Sequence, residues 1–596
     1  MDARKLITKS ITQALKELNP DQVFNVELVN PTDHTHGDLT TNIALKAFGI
    51  FKNTKDGFNR SYDQPVRAAS PMEMAEKIKN FVKQDENVSE IIDRDRIEVA
   101  NPGFINFWLS RKFLSARLHQ LLTEPEKETR TTAMQGKKFM VEFAHPNTHK
   151  ELHIGHMRTL TTGESLSRIF TANGATVFRA NYQGDIGPHV AKAIYGIIKL
   201  MEEKGLSIEA VEEWSSTEKA HFLGEGYARG SNDYQVHKEE IDTLNTKLYV
   251  HDNSVEEMYH RTRKWSLDYY DEFYTRFYTK FDHLFFESQM VDTSKRIVKE
   301  HVGDVFQQDA DGSIIFPGEK YGLHTRVFVT QKDNPTYEGK EIALGFAEYE
   351  AFPFDQKVHV VASEQIGYFQ VVFKALEMID PEKFVGHQYH LPMGMVQLTD
   401  RKMSSRTGDV LTVDWLIDQV KAAAEKQFAE GKLVGEERAE VLEQVAIGAV
   451  KYSVLKGGTK QDVAFDIEKS VALDGDSGVY LQYTAARTNS VLAKAEGQRE
   501  SVSSYANWNE EEELLVRSLF KFPSILAFAG EHMAPNAIAS YLFDLAKLYN
   551  LFYQKNRILD AGSTKEREFR LGLTRSVGII LVFGLALLGI EAPKRM

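Results

Sequence analysis

KKFMVEFAHPNTHKELHIGHMRT, residues 137–159, decides how the centre of this chain folds. KKFMVEFAH is a short apolar run of strand length. A helix-like segment then runs to Asn173-Gly174, and TVFRANY, 176–182, returns to a strand pattern. Strand, helix, strand predicts a βαβ unit, the building block of a parallel, doubly wound (Rossmann-like) α/β sheet. In such a sheet ligands bind at the carboxyl ends of strands, and helix N-termini attract phosphate. His153-Ile154-Gly155-His156 falls at that place. Gly155 would let a nucleotide approach the backbone, and the two imidazoles could donate hydrogen bonds to phosphate oxygens that gain charge in a transition state. The same stretch allows a second reading. His145, His149, His153 and His156, with Glu151, could be metal ligands, since i, i+4 pairs share a helix face.

Working outward, residues 1 to about 122 open with a helix pattern and end in IEVANPGFINFWLS, where Pro102-Gly103 punctuates a strand pair; this is a small α/β unit. The charged stretch 123–138 reads as a connection. Domains are expected at 1–125, 126–412 and 413–596, with a charged helical insertion at about 195–280. Strand patterns resume at VFVT, 327–330, and VHVVAS, 358–363. From Val413 onward nearly everything fits helices, including WLIDQVKAAAEKQFAE and AIASYLFDLAKLYNLFYQ, which predicts an all-α C-terminal domain. There is no internal repeat.

The 596 residues are 42% hydrophobic and 26% charged, an ordinary soluble composition. With no Cys, a thiolate zinc site, a disulfide framework and a Cys nucleophile are excluded. The net charge of −13 argues against nonspecific coating of nucleic acid and permits one basic face. The longest nearly apolar run, Val577–Ile590, is shorter than the roughly 18 residues of a membrane span and reads as a buried helix. The expectation is a cytoplasmic protein without membrane association.

A second chemical signal is LTDRKMSSRTGDVLTVDW, 398–415. A mobile Lys402 on a loop with Ser404 and Ser405 suits transient stabilisation of a leaving pyrophosphate, and alone it could be an ordinary solvated basic loop. No G-x-x-x-x-G-K-[ST] occurs, which disfavours a P-loop ATPase. HIGH and KMSSR, in this order on either side of an α/β core, resemble the paired ATP motifs of class I aminoacyl-tRNA synthetases. HGDLTTNIAL, 36–45, and NPGFINFWLS resemble the additional N-terminal domain of arginyl-tRNA synthetases. GDSGVYLQYTAAR, 475–487, and the ending LLGIEAPKRM resemble that family's helical anticodon-binding region.

The resemblance implies ATP, with Mg²⁺, as cofactor, L-arginine and tRNA(Arg) as partners, and a monomer. It assigns His153, His156, Lys402 and Lys150 to catalysis, and His153, Gly155, His156, Lys402, Ser404 and Ser405 to ATP. An arginine side chain is a permanent cation with a planar fork of donors, so its pocket needs carboxylates and a polar aromatic. The family's pocket pattern maps onto Glu287, Tyr337, Glu341 and Gln365, with Asn147 and Gln365 holding the amino and carboxylate groups. The family usually has Asp where Glu341 stands. Asn101, Phe104 and Asn106 match positions with which the family's N-terminal domain touches the tRNA D-loop; Phe104 as sheet core is an equal reading. Tyr549, Phe552, Tyr553, Lys555 and Arg557 interleave aromatics with basic charge, and core is the first reading of that stripe. A synthetase for another amino acid, a nucleotidylyltransferase without tRNA, and a non-catalytic tRNA-binding paralogue are the competing readings. Cysteinyl enzymes hold zinc through cysteines that this chain lacks.

Overall fold

Near-continuous apolar runs flanked by helices build a parallel sheet that is covered on both faces. A computed structural model describes residues 3–18, 22–31, 33–53, 68–399, 411–427, 434–497, 500, 502, 505 and 507–596. Two compact units contain them, one of residues 130–487, 525–546 and 581–596, the other of residues 1–129, 488–524 and 547–580.

In the larger unit β1 (Lys138–Glu142) leads through α1 (Ile154–Ala172) to β2 (Thr176–Gln183), as the βαβ reading requires. Helices follow, among them α2 (Pro188–Lys204) and α3 (Asn253–Arg276), before β3 (His283–Phe286) and α4 (Glu287–Glu300). Then come α5 (Tyr337–Ala351), β4 (Gln356–Ala362), α6 (Ile366–Ile379) and β5 (Gln388–Met393). The five strands are all parallel, in the spatial order β3-β2-β1-β4-β5. Connections from β1 leave toward β2 on one side while β4 lies on the other. This reversal makes a switch point at the carboxyl ends of β1 and β4, where such sheets open a crevice for ligands.

Alternation along the strands sorts the two faces. Phe139 and Val141 of β1 and Val358 and Val360 of β4 share a core with Leu160, Leu166 and Phe170 of α1. Met140 of β1 and Ala180 and Tyr182 of β2 turn the other way, against Met290 of α4 and Ala343 and Leu344 of α5.

A charged cluster lies inside this apolar frame. Glu142 on β1 stands opposite His359 in the register with β4. Lys357 Nζ, 1% exposed, is 2.5 Å from Glu142 Oε2 and also pairs with Glu348 of α5. His359 Nδ1 lies 3.1 Å from the same Glu142 oxygen.

Two elements differ from the sequence reading. The VFVT strand exists as Arg326–Val329, but it pairs antiparallel with Ile314–Phe316 in a separate three-stranded sheet and not in the parallel one. Past Val413 the described residues form helices and the loops between them, with one strand, Val463–Phe465, three residues paired parallel with Val396–Leu398 and too short to leave a periodic signal. The helix containing Val577 runs from Thr564 to Leu587, long and apolar enough to cross a membrane. Of its most apolar window 72% is buried, as in a core helix.

In the smaller unit the helix Ala3–Leu18 and a three-stranded antiparallel sheet form the N-terminal part. Phe104–Leu109 is the central strand, between Leu39–Thr41 and Ile92–Ala100. Buried Asp38 accepts the Leu109 N–H at 2.7 Å and pairs with Arg517.

Lys357→Met should leave Glu142 and Glu348 buried without their cation, at a cost of about 3–5 kcal/mol. Thermal unfolding of the variant is expected to move well below that of the parent, and adding Glu348→Gln should recover part of the loss. An unchanged melting temperature would refute the structural weight given to this ammonium.

Candidate active site at the switch point

The helix α1 begins with its own motif as cap. His153 is the N-cap, with extended backbone, and its Nδ1 accepts the Gly155 N–H at 3.1 Å. His156 Nδ1 accepts the His153 N–H at 3.2 Å, closing a capping box in which two imidazoles replace the usual hydroxyl and carboxylate. The rings stack at 3.7 Å between centroids. A Cβ on residue 155 would lie 2.9 Å from the His153 ring, so glycine is required by the cap itself. Because each Nδ1 accepts a backbone N–H, the neutral tautomer carries its proton on Nε2 in both rings. Burial, reinforced by the nearby Lys150 ammonium, pulls His153 down to about 4. Burial and the neighbouring His153 hold His156 well below the usual imidazole range. Both are neutral donors at the positive end of a helix dipole.

The backbone leading into this cap is strained. Ala144, His145 and His149 all have positive φ, at 79°, 52° and 63°. Packing from α3 holds the loop in place: the Tyr270 hydroxyl lies 2.7 Å from the Asn147 carbonyl oxygen and 2.8 Å from that of Lys150. His149 is buried, with Nδ1 at 2.9 Å from the Thr148 hydroxyl and Nε2 at 2.8 Å from that of Thr262. Both its nitrogens are therefore committed to hydroxyls. His153 and His156 spend their Nδ1 lone pairs on the cap, and among the described residues no group of three His, Asp or Glu is placed to hold a metal. Capping accounts for Nδ1 of His153 and of His156, and packing for both nitrogens of His149.

Across the crevice lies a cation site. Glu287, 5% exposed, opens α4 and pairs with Lys340 of α5. Lys340 Nζ also sits 4.7 Å from the centre of the Tyr337 ring, and Tyr337 begins α5 with its side chain largely exposed. A Cβ on Gly184 would strike Asn147 Oδ1 at 2.2 Å and approach Glu287 Oε1 to 3.3 Å, so Asn147 and Glu287 converge over this glycine. Burial pushes the Glu287 carboxyl up while Lys340 draws it down. Glu341, buried in the helical turn after Tyr337, is pushed up to about 8, first by burial and then by the charge of Glu142. Gln365 is exposed at the carboxyl end of β4. Lys150 Nζ lies 4.0 Å above the Tyr227 ring.

Lys402, Ser404 and Ser405 lie outside the described residues. The chain emerging from their segment does dock on the first motif: Ile154 N–H donates to Leu411 at 3.3 Å and Val413 N–H to Leu152 at 3.0 Å.

Three family models match this chain. A model described as "tRNA synthetases class I (R), catalytic domain" matches residues 117–467. An arginyl-tRNA synthetase N-terminal domain model matches 5–109, and a DALR anticodon-binding domain model matches 481–596. The chain belongs to the class I arginyl-tRNA synthetases. As a member of that family it is an arginine–tRNA ligase. An arginine–tRNA ligase of Bdellovibrio bacteriovorus is 31% identical, over 77% of this chain and 80% of that one. One from Phocaeicola vulgatus is 27% identical over the full length of both. The arginyl-tRNA synthetase structure from Thermus thermophilus shares the fold, with a TM-score of 0.79 and 23% identity over the full length of both chains.

The remaining sequence candidates of this synthetase fall in different surroundings. Asn101 and Phe104 are exposed at the strand pair, so Phe104 is not core. Asn106 is 3% exposed, its Oδ1 accepting the Thr40 hydroxyl at 2.6 Å. Tyr549 and Phe552 are fully buried, as the core reading has it, while Tyr553, Lys555 and Arg557 are exposed. Sequence reasoning missed Lys340 and Asp185. Buried Asp185 accepts the Ser288 N–H and hydroxyl at 2.8 and 2.7 Å and Arg263 Nε at 2.9 Å, fixing the start of α4 beside Glu287.

Glu341 holds its proton in the folded protein to about pH 8 but releases it near 4.5 when unfolded. The folded state therefore binds more protons over that window, and its stability falls as pH rises through it. Glu341→Gln should gain melting temperature relative to the parent on going from about pH 5.5 to about pH 8. A difference independent of pH would contradict the raised carboxyl.

Proposed function

We propose that this synthetase activates L-arginine with ATP and transfers it to the 2′-hydroxyl of the terminal adenosine of tRNA(Arg), releasing pyrophosphate and then AMP. The observation that carries the residue assignments is the convergence over Gly184 of buried Glu287 with Asn147, which comes from the loop leading into a helix N-terminus capped by two neutral histidines.

In the first step a carboxylate oxygen of arginine attacks the α-phosphorus, and the bond to the β-phosphate bridging oxygen breaks. His153 and His156 donate Nε2–H to phosphate oxygens as charge builds, from a frame the capping box has already oriented. Neutral donors set by backbone hydrogen bonds need no reorganisation at the moment of reaction. Gly155 keeps the cap open, and Lys150 assists on the phosphate side. Lys402, Ser404 and Ser405 are assigned to the polyphosphate by their sequence motif. Mg²⁺ enters on ATP as part of the substrate and neutralises phosphate charge.

Glu287, Tyr337 and Glu341 take the guanidinium, and Asn147 and Gln365 take the amino and carboxylate groups. In the second step the 2′-hydroxyl oxygen attacks the arginyl carbonyl carbon, its proton is lost, and AMP leaves. Asn101 and Phe104 are exposed for contact with the tRNA, and buried Asn106 supports their strand. The division at 1–125, 126–412 and 413–596, a monomeric state and a cytoplasmic location complete the reading.

Purified chain supplied with ATP, tRNA and each amino acid in turn should charge tRNA with arginine alone; another amino acid entering the acid-precipitable fraction would overturn the assignment. Glu287→Gln keeps shape and deletes a charge facing a cation, so the KM for arginine should rise about 10- to 100-fold and far more than that for ATP. Equal effects on both substrates would remove Glu287 from the guanidinium pocket.

A further inference from the structure

The cation site described above already holds a cation of the protein's own. Lys340 is 4% exposed at its side chain, and its ammonium pairs with Glu287 beneath the Tyr337 ring. Both partners are the residues assigned to the substrate's guanidinium. We propose that Lys340 is an internal stand-in for that guanidinium, occupying the pocket when arginine is absent and withdrawing from Glu287 when arginine binds. The inference rests on the reading of Glu287 and Tyr337 as the arginine pocket.

The physical need for a stand-in is plain. Glu287 is buried, and a buried carboxylate without a cation is costly to leave unpaired. A pocket that must present this carboxylate to arginine would otherwise empty into an unstable state. An ammonium answers both demands of the site, charge for the carboxylate and a cation for the aromatic face. It is also a point charge on a flexible four-carbon stem, whereas the guanidinium forms two parallel hydrogen bonds to a carboxylate, so the exchange favours arginine.

The placement of Lys340 suits withdrawal. It lies in the first turn of α5, three residues beyond Tyr337, a residue 55% exposed. The opening of the pocket is therefore close to the lysine's own backbone, and the stem can extend past the ring toward solvent. Arginine replaces one ion pair with a better one and never exposes Glu287 without a partner. The arrangement also sets affinity. The apparent Kd for arginine exceeds the intrinsic one by the reciprocal of the fraction of molecules in which Lys340 has left the pocket.

The test is calorimetric titration of the full-length protein with arginine. Lys340→Met removes the competitor and keeps the volume, so Kd should fall about tenfold, the factor expected if Lys340 is out of the pocket in about a tenth of molecules. The arginine-free variant should melt lower than the parent, and saturating arginine should raise its melting temperature by more than it raises the parent's. A Kd that is unchanged means that Lys340 is a bystander, and a Kd that rises means that lysine and arginine share Glu287; either overturns the inference. Should Lys340→Met fail to fold, Lys340→Gln, which can still hydrogen-bond Glu287 without a charge, carries the same titration and the same outcomes. Glu287→Gln separates the two levels of the argument. If it leaves arginine affinity intact, the pocket reading falls and the inference with it. If it weakens arginine while the Lys340 variants do not tighten it, the inference alone falls.

Discussion

One buried ammonium, Lys357 Nζ, holds together the two strands whose ends make the site. It lies on β4 and binds Glu142 of β1 and Glu348 of α5, joining both sides of the switch point and a helix that covers them. Strand pairing alone fixes register through backbone hydrogen bonds; this charge fixes which side chains meet below the crevice. The consequence reaches the pocket. Glu142, Glu287, Glu341 and Glu348 bring four carboxyls into the region, and Lys357 and Lys340 bring two ammonium groups. Lys357 is already shared by the carboxyl groups of Glu142 and Glu348. Glu341 is left without a cation of its own and keeps its proton instead. A region so short of positive charge suits the proposed cationic substrate.

The other half of the site depends on backbone geometry more than on charge. In the capping box of α1 a histidine stands at each of the two positions, and this choice fixes chemistry along with structure. A Ser or Glu in those places would satisfy the same N–H groups but would leave no second nitrogen to donate elsewhere. The imidazole has two nitrogens, and using one as acceptor for the cap forces the proton onto the other. The strained turn before it, with three non-glycine residues at positive φ, is held by the shared Tyr270 hydroxyl and by His149 between Thr148 and Thr262. Strain of this kind persists only where surrounding contacts over-determine the conformation.

Much of this was legible in the sequence because it is local. The βαβ unit and the strand pair around Pro102-Gly103 are signalled by periodicity and punctuation within a few dozen residues. Tyr337 and Glu341 sharing a helix face needed only their spacing once the segment is helical. The role of Lys340 was not legible, because its partner Glu287 is 53 residues away and nothing in either neighbourhood marks the pair. Asp185 and Arg263 are 78 apart and equally silent. Asn106 shows the converse limit: a motif match groups it with Phe104 and alternation puts both on one strand face, but Asn106 stands opposite Thr40 in a neighbouring strand and its side chain is taken up by that hydroxyl, while Phe104 lies beyond that pairing and is exposed. Short strands such as Val463–Phe465 escape for lack of length, and VFVT carried the right local signal with no indication of which sheet it would join.

The raised carboxyl of Glu341 has a physical cause in its surroundings. It is buried in the field of Glu142 and within hydrogen-bonding reach of the Tyr368 hydroxyl. In the arginine-free site it is a neutral acid, and a neutral acid adds nothing to the repulsion already present. A guanidinium brought against it is a permanent cation and stabilises the ionised form by the same Coulomb interaction that Glu142 uses to oppose it. On the proposed reading of the pocket, charge appears in step with the ligand that needs it: Lys340 covers Glu287 until arginine comes, and a proton covers Glu341. Both devices answer one constraint, that carboxylates able to bind a cation tightly inside a protein cannot be left ionised and alone while they wait for it.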